Sequence, residues 1–133
     1  MTIRCYIDGS AKPNPGKGGI GIVIRGDGWD YTISEKCEDR VSNNQAEYQA
    51  LVRCLDELVK NMIGQEEIII YSDSKLLVEQ MSKRRQIDKG GAYVPDHMKA
   101  LQLKRRFFNL KFQHIPREEN AEANLLASRG TRK

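Results

Sequence analysis

A chain of 133 residues, 39% of them hydrophobic, carries enough apolar material for one domain with a real core and too little length for two. Its 22 Lys and Arg against 18 Asp and Glu leave a net charge of +4, which leans toward an anionic partner and equally suits a mildly basic surface. Cys5, Cys37 and Cys54 fit neither a disulfide framework nor a zinc knuckle, and the start "MTIRCYIDGS" is neither a signal peptide nor a membrane span. The expectation is a cytoplasmic protein with reduced thiols, a single domain over residues 1–133, and a monomer by default.

In chain order, Thr2 to Ile7 reads as an apolar strand that stops at Asp8-Gly9, and "GSAKPNPGKGG" is expected to lack regular structure because of its glycines and prolines. "IGIVIRG" and "YTISEKC", split by "DGWD", read as antiparallel strands. "SNNQ" at residues 42–45 is a capping box, with Leu51, Cys54, Leu55, Leu58 and Met62 at helical spacing behind it and Gly64 closing the helix. "EEIIIYSD" is a strand ending at Asp73, and "SKLLVEQMS" a short helix. "KRRQIDKGGA", residues 83–92, is a basic loop, and "VPDHMKALQLKRRF" a helix with Pro95 in its first turn. "LKFQHI" alternates as a last strand, and "PREENAEANLLAS" reads as the closing helix. The order βββαβααβα implies an α/β fold: a five-stranded mixed sheet with a parallel crossover and helices on its faces.

Three carboxylates break the local pattern. Asp8 and Asp73 each end an apolar strand, and Glu47 lies one turn before Leu51 on the helical face that should be buried. Singly, each has a bland reading as a turn former, a cap or a helix-dipole partner. If strands one and four are parallel neighbours, however, Asp8 and Asp73 meet at the carboxyl edge where α/β sheets bind ligands, and Glu47 can complete the cluster. Clustered acids are normally held by a divalent cation, and an all-oxygen set favours Mg²⁺ or Mn²⁺ over zinc. Two such ions about 4 Å apart suit in-line phosphoryl chemistry.

With these residues in place, the chain resembles the type 1 ribonuclease H family, in its compact form without a hybrid-binding domain, over roughly residues 2–128. The matching pieces are "YIDGSAKPNPGKGG", "SNNQAEY", "YSDSKLLVEQ" and "HIPREENAEANLLA". The resemblance implies the ribonuclease H-like fold, helices on both faces of the sheet, and an endonuclease that cuts the RNA strand of RNA/DNA hybrids. Products with 5′-phosphate and 3′-hydroxyl ends and catalysis by two Mg²⁺ or Mn²⁺ ions are implied with it. Asp8, Glu47 and Asp73 match three of the family's four metal-binding acids, and Asn124 stands where the family has the fourth. An amide there removes one negative charge from a site that balances two dications, so weakened or absent cleavage is expected. An introduced Asp-to-Asn exchange, which preserves binding while stopping cleavage, is favoured as its origin over natural divergence. Glu122, two residues earlier, points to another side of the helix. The alternative is a naturally inactive hybrid-binding module. A related exonuclease or integrase-like domain is disfavoured by the glycine-rich first loop and the Asn43-Asn44 pair.

The same resemblance assigns substrate contacts. Gly9 and Ser10 would offer backbone groups to the hybrid, Asn43 and Asn44 would reach base edges or sugars in its minor groove, and Asn14, Arg40 and Ser42 match a pocket for a DNA-strand phosphate. Ser74 and Lys75, directly after Asp73, complete the expected substrate-binding set. Lys83, Arg84 and Arg85, and Lys104, Arg105 and Arg106, are candidate phosphate contacts for which a solvated face is the plainer reading. His114 is given no role in product release, and Arg117 is its candidate replacement.

Overall fold

Alternation along the first strands decides which helix each face receives. In the computed structural model, described for residues 2–26, 28–61, 66–83 and 85–133, β1 (Thr2–Lys12), β2 (Gly16–Gly26) and β3 (Trp29–Val41) form an antiparallel meander. The helix α1 (Asn43–Lys60) then crosses to β4 (Glu67–Ser72), which pairs with β1 in parallel. After α2 (Lys75–Met81) and α3 (Val94–Lys104), β5 (Asn109–His114) joins β4 in parallel, and α4 (Ala121–Gly130) follows. The sheet order is β3-β2-β1-β4-β5, so the chain leaves β1 toward one side through β2 and returns on the other through β4.

Ile20, Ile22 and Ile24 of β2 join Ile3, Cys5 and Ile7 of β1 in a core closed by Leu51, Cys54, Leu55 and Leu58 of α1. The opposite face of β2 has glycines. A Cβ on Gly19 would lie 2.3 Å from the Ala127 carbonyl oxygen, and one on Gly21 would lie 2.2 Å from that of Ala123, so α4 rests directly on the strand backbone. Helices thus cover both faces, as expected.

Three boundaries differ from the sequence expectation. The first strand does not stop at Asp8-Gly9: β1 runs on to Lys12 and β2 starts at Gly16, leaving Pro13 to Pro15 as the turn. The glycines here are strand residues that admit a close neighbour, not turn formers, and that is why composition misled. The last helix begins at Ala121, after a single 3-10 turn over Arg117–Asn120. Asn120 leaves helical geometry (φ −113°, ψ 25°), and its Nδ2 donates to the Ile7 carbonyl at 2.8 Å, pinning the helix start to β1. The third helix is helical to Lys104 and then tightens, with Arg105, Arg106 and Phe107 amides bonding three residues back. The capping box forms as expected, Ser42 accepting from the Gln45 amide while Gln45 Oε1 accepts from the Ser42 amide. The expectations for Met62, Gly64 and Arg84 lie outside the described residues.

Candidate active site

The β1–β4 ladder ends at Ile7 opposite Ser72, and the next residue on each strand is an acid, Asp8 and Asp73. Glu47, one helical turn into α1, reaches the same place because its neighbour on the strand is Gly9. A Cβ there would come within 2.1 Å of the Ala46 carbonyl carbon and 2.3 Å of the Glu47 nitrogen, so only glycine lets α1 approach this closely. With β4 already ended, the Gly9 amide donates to Glu47 Oε1. Oxygens of Asp8, Glu47 and Asp73 all lie within 4.8 Å of one another.

Burial and like charge set the electrostatics. Asp8 and Glu47 are buried and Asp73 is half-buried. Burial first, then the Asp73 carboxylate, raises the Asp8 pKa to about 7, with Arg117 pulling the other way. Glu47 is held well above the usual carboxylate range by burial and by both neighbouring acids, against the Gly9 amide, which favours its charged form. Asp73 Oδ2 is buried without a hydrogen-bond partner among the described residues.

The fourth position comes from α4. Asn124 lines the same cleft as the three acids, an open space of about 520 Å³. Its Nδ2 donates to the Arg117 carbonyl at 3.2 Å, and its Oδ1 is buried with no partner among the described residues. Glu122 is no substitute, because both its oxygens accept from the Arg25 guanidinium, at 2.8 and 3.0 Å. The four residues offer only oxygens, two of them unpartnered, and that donor set could hold a hard divalent cation.

Of the expected substrate-binding residues, Gly9, Ser10 and Asn43 line the cleft with the acids. Asn43 Oδ1 accepts from the Ala11 amide at 2.9 Å, and the Asn43 amide donates to Asn14 Oδ1 at 3.0 Å, so the β1–β2 turn is tied to the start of α1. Arg40 sits apart in a second groove and donates to the Pro15 carbonyl at 3.2 Å. Ser42 caps α1, Ser74 caps α2 by accepting from the Leu77 amide, and Asn44 and Lys75 are exposed. Lys104 Nζ is turned back onto the Met81 carbonyl at 3.1 Å, and Arg85 pairs with Glu79 at 2.9 Å. His114 is exposed on β5. Sequence reading missed Lys12, Leu125 and Ser128, which also line the cleft, with Lys12 Nζ 3.3 Å from Ser128 Oγ. Their only signal was helical spacing from Asn124 and the strand that the glycines concealed.

Comparison with known proteins agrees with this architecture. A family described as "Reverse transcriptase-like" matches residues 6–130. The chain is 30% identical to the putative hydrolase EbsB of Enterococcus faecalis, over 98% of this chain and 95% of that protein. It is also 30% identical to ribonuclease HI of Halobacterium salinarum, over 95% of this chain and 62% of the relative, so it spans less than two thirds of that enzyme. Among solved structures, LC11-RNase H1 in complex with an RNA/DNA hybrid superposes with a TM-score of 0.88 at 32% identity, covering 98% of this chain and 96% of the other. With the sheet order, the paired strand ends and these likenesses together, the chain belongs to the reverse transcriptase-like family and, within it, to the type 1 ribonuclease H enzymes.

Proposed function

We propose that this protein hydrolyses the RNA strand of RNA/DNA hybrids with two Mg²⁺ or Mn²⁺ ions, leaving 5′-phosphate and 3′-hydroxyl ends, at a rate lowered by Asn124. The observation that carries this reading is the convergence of Asp8, Glu47 and Asp73 within 4.8 Å on a cleft that Asn124 also lines. The buried, unpartnered oxygens of Asp73 and Asn124 support a cation there, since such atoms are costly without a partner. The three buried cysteines, all free, suit action in the reducing cytoplasm.

When bound, the ions would supply an activated water and charge stabilisation at the leaving oxygen. Asp8, between the other two acids, would serve both ions; Glu47 and Asp73 would serve mainly the second ion and the scissile region, and Asn124 would contribute a neutral oxygen. Arg117, in the same cleft, favours the ionised form of Asp8. Gly9 and Ser10 would follow the minor groove, with Asn43 and Asn44 reading sugars or base edges, while Asn14, Arg40 and Ser42 would take a DNA-strand phosphate and Ser74 and Lys75 the flanking backbone. The amide at position 124 also favours a second reading, a hybrid-binding module that does not cut.

Cleavage and binding of a labelled RNA/DNA hybrid by this protein and by Asn124→Asp, each in Mg²⁺ and in Mn²⁺, separates the two. Binding by both with much faster cutting by the aspartate form is the expected result. Binding by both without cutting by either establishes the binding module, and binding by neither overturns both readings.

A further inference from the structure

Because β1 runs on to Lys12, its side chains lay out the cleft in a row. Alternation along a strand puts Asp8, Ser10 and Lys12 on one face, and the β2 residues opposite the first two are Gly21 and Gly19. A Cβ on either glycine would strike α4, at the Ala123 and Ala127 carbonyl oxygens respectively. That face therefore looks toward α4, and the row advances along the helix by one turn for every second strand residue. Asp8 stands beside the start of the helix, and Lys12 stands toward its end.

The two ends of the row differ in charge. At the first, Asp8 meets Glu47, Asp73 and Asn124. At the second, Lys12 is exposed, lines the same cleft, and donates from Nζ to Ser128 Oγ at 3.3 Å. Ser128 follows Asn124 by four residues, so the ammonium is held one helical turn, about 6 Å, past the fourth ligand position. Among the described residues no carboxylate pairs with it. A hydroxyl orients an ammonium without neutralising it, so the charge is left for a ligand of the cleft. Leu125, exposed on the same wall, offers nothing that competes.

We propose that Lys12 sets which bond is cut: its ammonium, steadied by Ser128, holds a phosphate flanking the scissile one on the cleaved strand, and so fixes the register of that strand over Asp8, Glu47 and Asp73. This rests on the hybrid-nuclease reading above. The acid cluster alone accepts any phosphate that reaches it, whereas a cation one turn of α4 away demands a second phosphate at a fixed offset. Register matters most near a strand end, where that second phosphate is missing. Lys12 also attracts a phosphate without help, while the acids repel one until a dication neutralises them, so the contact persists in EDTA. Lys12→Met keeps the stem and removes the charge; Ser128→Ala removes the steadying oxygen.

The test has two arms. In EDTA, where nothing is cut, hybrid affinity across a salt series is compared for this protein and Lys12→Met; the variant should bind about tenfold more weakly, the lower end of a hydrogen bond to a charged group. Its slope of log K against log salt should fall by about one. In Mn²⁺, with Asn124→Asp as background, cuts are mapped on hybrids whose RNA strand carries one neutral methylphosphonate, moved a nucleotide at a time. One position at a constant offset from the cut should suppress that cut about tenfold with Lys12 present, in part with Ser128→Ala, and not further with Lys12→Met. A methylphosphonate at the scissile bond itself should block cutting in every variant. Unchanged Kd and slope in Lys12→Met, or no offset whose effect depends on Lys12, overturns the proposal; so does a Lys12→Met protein that only loses Tm. Failure of this protein to bind the hybrid, or of Asn124→Asp to cut it, defeats the nuclease reading as well, whereas binding and cutting confine any failure to Lys12.

Discussion

The Ala123 carbonyl oxygen occupies the space that a side chain on Gly21 would need, 2.2 Å from the ideal Cβ position. Gly21 pairs with Asp8 across the β1–β2 ladder, and Asn124 is the next residue after Ala123, so one backbone contact sets the spacing between the acid cluster and the fourth ligand position. Gly21→Ala must push α4 off the sheet, because the obstacle is backbone and cannot rotate away. Overpacking of this kind costs about 1–3 kcal/mol. A lower Tm together with loss of hybrid cleavage, both restored in the glycine form, is the expected result; an alanine variant with unchanged Tm and rate would show that the helix seat is not set here.

Glu47→Gln separates charge from shape. The amide side chain still offers Oε1 to the Gly9 amide, while a carboxyl group that burial and two neighbouring acids make costly to ionise disappears. In EDTA at pH 7.5 the variant should therefore melt above the wild type. It should also bind Mg²⁺ or Mn²⁺ more weakly: losing an outer partner of a metal ligand costs about 10–100-fold, and losing a ligand's charge should cost at least the upper end of that range. Calorimetric titration with Mn²⁺ beside thermal melts checks both halves, and a variant that melts lower in EDTA would contradict the repulsion argument.

The same cluster fixes how metal-free stability depends on pH. Asp8, raised from 3.8 to about 7, binds a proton in the folded state that the unfolded chain has already released, and Glu47 is shifted the same way. The folded state then holds more protons than the unfolded one, so stability is full below the ordinary carboxylate range and falls as pH rises toward about 7. Buried His97, lowered by desolvation, opposes this between its lowered value and its ordinary 6.5, one group against two. Melting curves in EDTA should show Tm declining from pH 5 to 7.5, with saturating Mg²⁺ or Mn²⁺ removing the decline by stabilising the ionised acids. A Tm that rises over that window in EDTA would mean that the acids are already ionised without metal.

Much of this was legible in the residues. Asp8 and Asp73 stood out because an acid at the end of an apolar strand violates its period, and the parallel pairing that joins them followed from a strand-helix-strand order. Glu47 was found because it sat on a face that should be apolar. The extent of β1 and β2 was not legible: Gly9, Gly18 and Gly19 read as loop from composition, and what keeps them in strands is the approach of α1, the β3 side chains and α4, a tertiary fact with no local signature. The buried hydrogen bonds that Gln80 of α2 makes to the Tyr48 and Tyr93 hydroxyls were equally hidden, since local spacing says nothing of which side chains will meet.

Arg117 was singled out only as a candidate for another residue's role, and the structure gives it a distinct task. It lines the cleft and favours ionised Asp8 against burial and Asp73, while its carbonyl accepts from Asn124 Nδ2. Arg117→Ala keeps the carbonyl and deletes the charge, so Asp8 must become harder to ionise still. The acid limb of the cleavage rate against pH should move upward by up to roughly one unit, the lower end of what a close opposite charge exerts on a carboxylate. At pH 7 the rate would fall several-fold and recover by pH 8.5, and Arg117→Lys would retain most of the wild-type profile. A pH-independent loss would instead place the guanidinium on the substrate alone, because only an effect carried through Asp8 can be undone by removing protons.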